Sequence, residues 1–205
     1  MSNTEAPVSE HLCAYCQHVH GPLGCDAKSC GCGGAREHPG WPDDIALTVE
    51  VIPTSLHGKN PRQVFGQRWW DQQRRAVYRK AGYRCEICGG VGSRHPVEAH
   101  ERFVYDETVT PPCQRVIGLI ALCPQCHAVK HLYRTGEVSI EKNDPHIYQR
   151  ALDHLARING WDATTRSAYL AQVRADFKRR EALGPWAQDF SALMGVQPSG
   201  EVNGQ

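Results

Sequence analysis

The order of apolar and polar residues predicts a β-strand at 45–51, IALTVEV. Its four aliphatic residues fall on one face of an extended chain, while Thr48 and Glu50 fall on the other. Alternation with a period of two is typical of a half-buried strand. Pro53 ends this pattern, and the segment 54–67, which Gly and Pro interrupt, is predicted to be a connector.

The next part of the chain changes from helical to extended periodicity. Apolar residues at helical spacing predict a helix over 68–81, RWWDQQRRAVYRKA, with Gly82 as its stop. HPVEAHERFV, 95–104, and CQRVIGLIALC, 113–123, predict two strands joined by a loop. PQCHAVKHLYR, 124–134, predicts a short helix, so the expected order is strand, strand, helix.

The C-terminal third is predicted to be helical. One helix is expected to begin after the N-cap Asp144 and to end at Gly160, and the next to begin after Asp162. PWAQDFSALMG, 185–195, predicts one last short helix. This third has no evident catalytic grouping, so a packing role is expected for its two histidines, His146 and His154.

The composition is that of a globular protein, with 40% apolar and 22% charged residues in 205. The longest uninterrupted apolar run, VIGLIALC at 116–123, is far shorter than the roughly 20 residues that a bilayer requires. The N-terminus, MSNTEAPVSE, is polar and acidic and has no signal-peptide pattern. We therefore expect a soluble cytoplasmic protein, with no membrane partner, in a compartment that keeps thiols reduced.

In such a compartment, closely spaced cysteine pairs indicate metal binding rather than disulfides. Two of the pairs among the ten cysteines are Cys85-x2-Cys88 and Cys123-x2-Cys126. Together they supply four thiolates for one tetrahedral zinc ion. Because four thiolates close the coordination sphere, this ion is expected to be structural.

A second cysteine cluster near the N-terminus predicts a further zinc site. Its pattern is Cys13-x2-Cys16 followed by Cys30-x-Cys32. The spacing does not decide which four residues bind the ion, and there are three alternative ligands: Cys25, His18 and His20.

Three histidines near the second cysteine pair are candidates for another metal site. His127 and His131 are four residues apart on the predicted helix, so they share a helix face and could bind one ion. His100, on the preceding predicted strand, could face them, and it is flanked by Glu98 and Glu101.

Basic residues are concentrated next to these cysteines, although the formal net charge is only +1. Between Arg62 and Arg84 there are seven basic residues and one acidic residue, Asp71. Such a run is typical either of an ordinary solvated helix face or of a surface that contacts phosphates. The candidates for nucleic-acid contact are Arg68, Arg74, Arg75, Arg79, Lys80 and Lys130.

The stretch WWDQQRRAVYRKAGYRCEICGG…VEAHE…GLIALCPQCHAVKH resembles the HNH endonuclease family, in its zinc-knuckle subgroup. The resemblance covers about 68–135, a third of the chain, and rests on the combination of C-x-x-C pairs with the strand histidine and L-C-x-x-C-H-x-x-K-H. It implies an α+β fold with a small zinc-stabilised ββα-metal core that is treble-clef-like.

The resemblance also implies an activity, the hydrolysis of phosphodiester bonds in DNA, which we expect to be double-stranded. His100 would be the general base, and His127, with His131 as a further candidate, would hold Mg²⁺ or another divalent ion. A near-neutral pKa suits histidine to the base role, and a cation offsets the charge that develops on the phosphate. Because related proteins occur in phages and mobile elements, a role in phage DNA processing or host defence is implied.

Two positions depart from the family pattern. Ala99 stands where the family has a metal-binding Asp or His, and Gly118 stands near the place of the Asn that orients the base. A carboxylate from elsewhere could replace the missing ligand, and the candidates are Glu98, Glu101 and Asp106.

These departures leave two other functions open. The chain could be a catalytically inactive zinc-stabilised ββα module that binds DNA or a protein partner. It could also be a zinc-stabilised adaptor whose working surface is the helical C-terminal third. A protein partner would bind through the N-terminal zinc module or the C-terminal helices.

The expected organisation has five parts. These are a Cys-rich N-terminal zinc module at 1–40, a strand and connector at 41–67, an HNH-like ββα-metal nuclease domain at 68–142, a helical C-terminal region at 143–196, and a disordered tail at 197–205.

Overall fold

The structure is a computed structural model that describes residues 45–194 and, for the backbone alone, residues 20–21 and 24–25. The backbone of His20–Gly21 (β1) pairs antiparallel with that of Gly24–Cys25 (β2), with His20 opposite Cys25. The remaining candidate ligands of the N-terminal zinc site and the tail 197–205 lie outside the described residues, and so do the side chains of His20 and Cys25.

The described part of the chain is α+β, with a three-stranded sheet and seven α-helices. The elements after β2 are a 3₁₀ helix Thr54–Leu56, α1 Pro61–Phe65, α2 Gln67–Lys80, β3 Glu98–Asp106, β4 Cys113–Leu122, α3 Pro124–Lys130, α4 Leu132–Glu141, α5 Pro145–Asn159, α6 Ala163–Ala182, β5 Ala187–Asp189 and α7 Ser191–Met194.

The two predicted central strands form an antiparallel hairpin. β3 pairs with β4 so that His100 lies opposite Ile120 and Ala99 opposite Ala121. The register shifts after Arg102, which lies opposite Gly118. The hairpin therefore presents His100 at a fixed place beside the start of α3.

The prediction of a single helix over 185–195 is wrong. Residues 187–189 form β5, which runs parallel to β4, and only α7 remains helical. The indole N–H of Trp186 donates to the carbonyl of Arg180 at 2.9 Å, and its backbone N–H donates to Ser55 Oγ at 3.1 Å. Because these bonds anchor Trp186, the chain that follows lies along β4.

The predicted strand at 45–51 has a bend at 46–47 and pairs with no strand in the described part of the chain. Its backbone is bonded instead by side chains of the C-terminal helices. The N–H of Leu47 donates to Asn159 Oδ1 at 3.1 Å, and the N–H of Val49 donates to the Tyr169 hydroxyl at 2.8 Å. The alternation correctly predicted that Leu47, Val49 and Val51 are buried, and the prediction of a half-buried strand was wrong because helices satisfy its backbone and Glu50 is buried as well.

The helix predicted over 68–81 is confirmed as α2, with a shift of one residue at each end. The predicted connector is less irregular than expected, because it contains the 3₁₀ helix and α1. Asn60 caps α1 by accepting the N–H of Gln63, and Pro61 occupies the first helical position, where proline is favoured. In that position Pro61 begins a helix and does not interrupt one.

The predicted helix 124–134 is two helices, α3 and α4, that meet at His131. At this residue φ is −96° and ψ is 45°, outside the α-helical region. The backbone bonds nevertheless continue, since the N–H of His131 donates to the carbonyl of His127 at 3.1 Å. The i, i+4 relation between the two histidines therefore survives the break.

The two long C-terminal helices begin and end where the sequence predicted. Asp144 accepts the N–H of His146 at 3.0 Å, and Asp162 accepts the N–H of Thr165 at 2.7 Å. Gly160 ends α5 with a φ of +67°, in the left-handed region that glycine adopts without strain.

One apolar core joins the cysteine pairs to the C-terminal helices. Leu47, Cys126, Val129 and Leu155 are fully buried in it. They come from segment 45–51, α3 and α5, so the cysteine pairs are packed against the helical third. A smaller cluster around Phe103 and Trp186 lies on the other part of the hairpin. None of the helices in the described residues has both the length and the apolar character needed to cross a membrane.

Candidate metal centres

Four cysteine thiols meet between the turn before β3 and the start of α3. The sulfurs of Cys85, Cys88, Cys123 and Cys126 all lie within 4.8 Å of one another, and those of Cys88 and Cys123 are 3.6 Å apart. That separation is too long for a disulfide, whose sulfurs are about 2.05 Å apart. Four sulfurs at about 2.3 Å from a common zinc ion would have such spacings. The predicted cluster is confirmed and is compatible with structural zinc.

Local backbone geometry explains why each C-x-x-C pair turns both sulfurs inward. The N–H of Gly90 donates to Cys88 Sγ at 3.4 Å, next to Gly89, whose φ is +70°. Cys123 is the N-cap of α3, and its Sγ accepts the N–H of Cys126 at 3.5 Å. The hydrogen bond from the Cys126 thiol lowers the pKa of Cys85 to about 4, against the effect of burial.

His154 contacts this cysteine cluster. The sequence analysis predicted only a packing role for this histidine. Its Nε2 lies 3.1 Å from Cys126 Sγ, and its Nδ1 lies 2.7 Å from Nη2 of Arg157. A guanidinium can only donate, so Nδ1 is the acceptor and the proton of a neutral ring is on Nε2. Burial, followed by the charge of Arg157, lowers the pKa of His154, which favours this neutral form. His154 therefore donates its N–H to the sulfur.

Three histidines form a second cluster, as the sequence predicted. Each of His100, His127 and His131 offers a ring nitrogen that lies within 4.8 Å of those of the other two. The ring centroids are 4.8 Å apart for His127 and His131, 4.9 Å for His100 and His131, and 5.3 Å for His100 and His127. β3, α3 and the break before α4 thus bring three imidazoles together.

The chemistry of these donors fits a divalent transition metal. Neutral imidazole is the ligand form, and the pKa of His131 is lowered to about 3, chiefly by burial and then by His100 and His127. Sites with three histidines suit zinc and similar ions, whereas Mg²⁺ prefers oxygen ligands. The residues therefore fit a metal, but they fit the expected Mg²⁺ less well than a softer ion.

Glu98 lies beside this cluster and contacts one of its members. Its Oε2 forms a short hydrogen bond with Nδ1 of His127, and its Oε1 lies 2.5 Å from Nε2 of His95. These two histidines, His127 first, lower the pKa of Glu98 to about 2. The carboxylate is placed to orient the ring of His127.

The other two predicted carboxylates differ in position. Burial raises the pKa of Glu101, which follows His100 directly on β3. Asp106 is at the far end of the hairpin, six residues or about 20 Å along the strand from His100. Its Oδ2 accepts a hydrogen bond from Arg115 at 2.8 Å. The prediction of Asp106 as a metal ligand is wrong for this reason.

Glu50 is the carboxylate that the sequence analysis missed. Its Oε1 lies 3.6 Å from Nε2 of His100, and both side chains are 1% exposed. The same oxygen lies 3.1 Å from Nζ of Lys130, a residue 80 positions away, so no local spacing in the sequence predicts this ion pair. The alternating pattern at 45–51 put Glu50 on the solvent-exposed face of a strand. That prediction is wrong, because this segment is packed on both sides.

Lys130 does not have the position expected of a phosphate contact. Its side chain is only 5% exposed and pairs with Glu50, and its Nζ donates to Thr48 Oγ1 at 2.8 Å. The prediction of Lys130 as a nucleic-acid contact is corrected accordingly: the amine points into the protein.

The remaining basic candidates lie on α2, mostly in solvent. Arg68, Arg75 and Arg79 are exposed, and their spacing of seven and four residues places them on one helix face over about 16 Å. We call this set the basic face of α2. Lys80 is exposed at the end of the helix, whereas Arg74 is half-buried and donates to Asp71 at 2.7 Å.

The helix that carries the basic face lies against the strand that carries His100. The hydroxyl of Tyr78 accepts the backbone N–H of Ala99 at 3.2 Å. A pocket of about 300 Å³ opens between α2 and the start of β3, and its lining includes Arg74, Tyr78 and Glu98. The hydrogen bond that Glu98 accepts from His127 therefore connects this pocket to the histidine cluster.

Comparison with known proteins adds no assignment: no family model matches the sequence, and neither a curated protein nor a solved structure matches it significantly. The features that bear on function are the two side-chain clusters and their surroundings.

Proposed function

We propose that this protein is a metal-dependent endonuclease that hydrolyses phosphodiester bonds of DNA. The observation that carries the proposal is the convergence of His100, His127 and His131 at metal-binding distance. The resemblance of the surrounding sequence to HNH endonucleases gives that cluster its functional interpretation. The cysteine cluster, compatible with zinc, would stabilise the turn and helix that hold it.

The three imidazoles are proposed to hold the catalytic cation. A divalent ion there would supply positive charge to offset the charge that develops on a phosphodiester during hydrolysis. His127 is oriented by Glu98, and His131 is held one turn further along the chain. We expect Zn²⁺, Co²⁺, Ni²⁺ or Mn²⁺ to support activity better than Mg²⁺, because the donors are nitrogens.

His100 has two possible roles within this function. A general base must reach the water from which it takes a proton. The side chain of His100 is 1% exposed, and its ring lies against those of His127 and His131. We therefore assign His100 to the residues that hold the ion. The general-base role is the alternative, and measured metal affinity distinguishes the two roles.

The basic face of α2 is proposed to contact the phosphates of duplex DNA. Its three exposed arginines could neutralise phosphates without reading the base sequence. Because Tyr78 on the same helix bonds to Ala99, next to His100, a duplex on this face would lie near the histidine cluster.

The test is cleavage of supercoiled plasmid with a series of divalent ions. We compare the wild type with His127→Ala, His131→Ala and His100→Ala, and use His146→Ala, an exposed histidine on α5, as the matched control. Metal-dependent cleavage that is lost in the first two variants and retained in the control supports the proposal.

Metal affinity then separates the two roles of His100. If His100 holds the ion, His100→Ala weakens both metal binding and cleavage. If it is the base, the variant keeps its metal affinity and loses only cleavage. A wild-type protein that binds metal at these histidines but cuts neither plasmid nor linear duplex contradicts the nuclease proposal.

One observation favours a second candidate, a non-catalytic module that binds DNA. All three histidines are mutually within ligand distance, so none of them is separated from the cluster in the way a dedicated base would be. In that case the basic face of α2 would still bind duplex, and the plasmid would remain intact under every metal condition.

A further inference from the structure

A buried ion pair lies next to His100 of the histidine cluster. Glu50 and Lys130 are 3.1 Å apart, and their side chains are 1% and 5% exposed. The pair is also tied by the backbone, because the N–H of Glu50 donates to the carbonyl of Lys130 at 2.9 Å. The carboxylate is thereby fixed to α3, the helix that carries His127.

The carboxylate of Glu50 also faces His100. Its Oε1 is 3.6 Å from Nε2 of the ring, slightly longer than a hydrogen bond. Its other oxygen, Oε2, is buried and has no hydrogen-bond partner among the described residues. The carboxylate that faces His100 therefore has acceptor capacity that Lys130 does not use.

We propose that Glu50 is a positioning residue for the ion held by His100, His127 and His131. Its carboxylate accepts the N–H of one nitrogen of His100, which leaves the other nitrogen to face the ion. Metal-bound histidines almost always donate their second ring nitrogen to a carboxylate, a carbonyl or water. This inference rests on the metal site of the proposed function but does not require nuclease activity.

Charge gives the same carboxylate a second effect. Neutral imidazoles bring no negative charge to a divalent ion, and a charge in a buried site is costly unless an opposite charge lies nearby. Glu50 brings a carboxylate close to the site from a segment, 45–51, outside the region that resembles the nuclease family, and its charge is shared between Lys130 and the site. It acts through His100 and is not itself a ligand, so it does not take the place of the metal-binding residue missing at Ala99.

The alternative is that Glu50 serves only to neutralise Lys130. A double variant distinguishes these two roles of Glu50. If Glu50 only neutralises Lys130, then Glu50→Gln leaves a buried lysine that keeps its bond to Thr48 but has lost its counter-charge, and the addition of Lys130→Met removes that charge and restores metal binding. If Glu50 positions His100, metal binding stays weak in the double variant, because the carboxylate is still absent.

The experiment titrates the full-length, zinc-loaded protein with Co²⁺. Binding is followed by the visible absorption of Co²⁺ with nitrogen ligands and by calorimetry. The proteins are the wild type, Glu50→Gln, Glu50→Gln with Lys130→Met, His127→Ala, and the control Glu137→Gln, an exposed glutamate on α4 whose side chain is 65% exposed. Circular dichroism verifies that each variant is folded.

We expect both variants that lack Glu50 to bind Co²⁺ about 10- to 100-fold more weakly, and the control to bind like the wild type. Wild-type affinity in Glu50→Gln, or its recovery in the double variant, overturns the inference and leaves the metal site intact. If the wild type binds no Co²⁺, or if His127→Ala does not weaken binding, the metal site of the proposed function fails as well.

Discussion

The imidazole of His154 lies between a thiol of the cysteine cluster and a guanidinium. Arg157 fixes the ring by donating to Nδ1, and Nε2 is left to donate to Cys126 Sγ. Hydrogen bonds to a zinc-bound thiolate reduce its charge and hold it in place. A residue of α5 thus contacts the cysteine cluster through a sulfur 28 positions earlier in the chain.

Replacing His154 by phenylalanine is expected to weaken zinc binding about 10- to 100-fold, because the ring volume is kept and the donor is lost. The measurement is the rate of zinc release to a chromogenic chelator. The matched control is His146→Phe on the same helix, where the histidine is exposed. Equal release rates for the two variants would show that His154 only fills space.

At the scale of elements, α2 combines two faces with different tasks. Trp70 and Gln73 are buried against the rest of the protein, while Arg68, Arg75 and Arg79 face solvent. The helical period separates these two sets, since residues seven and four apart lie on one side. One face of α2 therefore packs against the protein while the other presents three arginines to solvent, as the proposed contact with phosphates requires.

The variant with Arg68, Arg75 and Arg79 all changed to glutamine tests the basic face of α2. Three lost phosphate contacts should reduce the slope of log K against log salt concentration by about 2.7, because each contact contributes about 0.9. Fluorescence anisotropy with a labelled duplex at several salt concentrations measures this slope.

A control with the same loss of charge separates specific contacts from net charge. Arg134, Lys142 and Arg150 are exposed on or next to α4 and α5, and their replacement by glutamine removes three positive charges elsewhere. If this control lowers the slope as much as the variant of α2, the DNA does not bind through the basic face of α2.

At the scale of the whole molecule, the C-terminal helices hold the segment that carries Glu50. Asn159 and Tyr169 bond to the backbone of Leu47 and Val49, and Nη1 of Arg180 donates to the carbonyl of Val51 at 2.7 Å. The helical third therefore reaches the surroundings of the histidine cluster through this segment.

Tyr169→Phe is expected to destabilise the protein by about 1–3 kcal/mol, because the buried N–H of Val49 loses its acceptor. Urea unfolding measures the free energy, and Tyr148→Phe, in a tyrosine packed against the same core, is the control. We also expect weaker Co²⁺ binding in Tyr169→Phe alone. If the two variants have equal stability, the hydroxyl of Tyr169 does not hold the segment.

The sequence by itself determined the features that depend on short spacings. The two C-x-x-C pairs, the helical spacing of His127 and His131, and the caps Asp144 and Asp162 were all predictable, because each involves residues within one turn or one helical period. The strand that carries His100 was predictable from the residues around it and from the resemblance to the HNH endonuclease family.

Only the tertiary structure decided which distant groups complete the two sites. Glu50 and Lys130 are 80 positions apart, and Cys126 and His154 are 28 apart, so no local period relates them. These contacts form because segment 45–51 and α5 pack into one core. Packing likewise buried Lys130, because burial is a property of the folded chain.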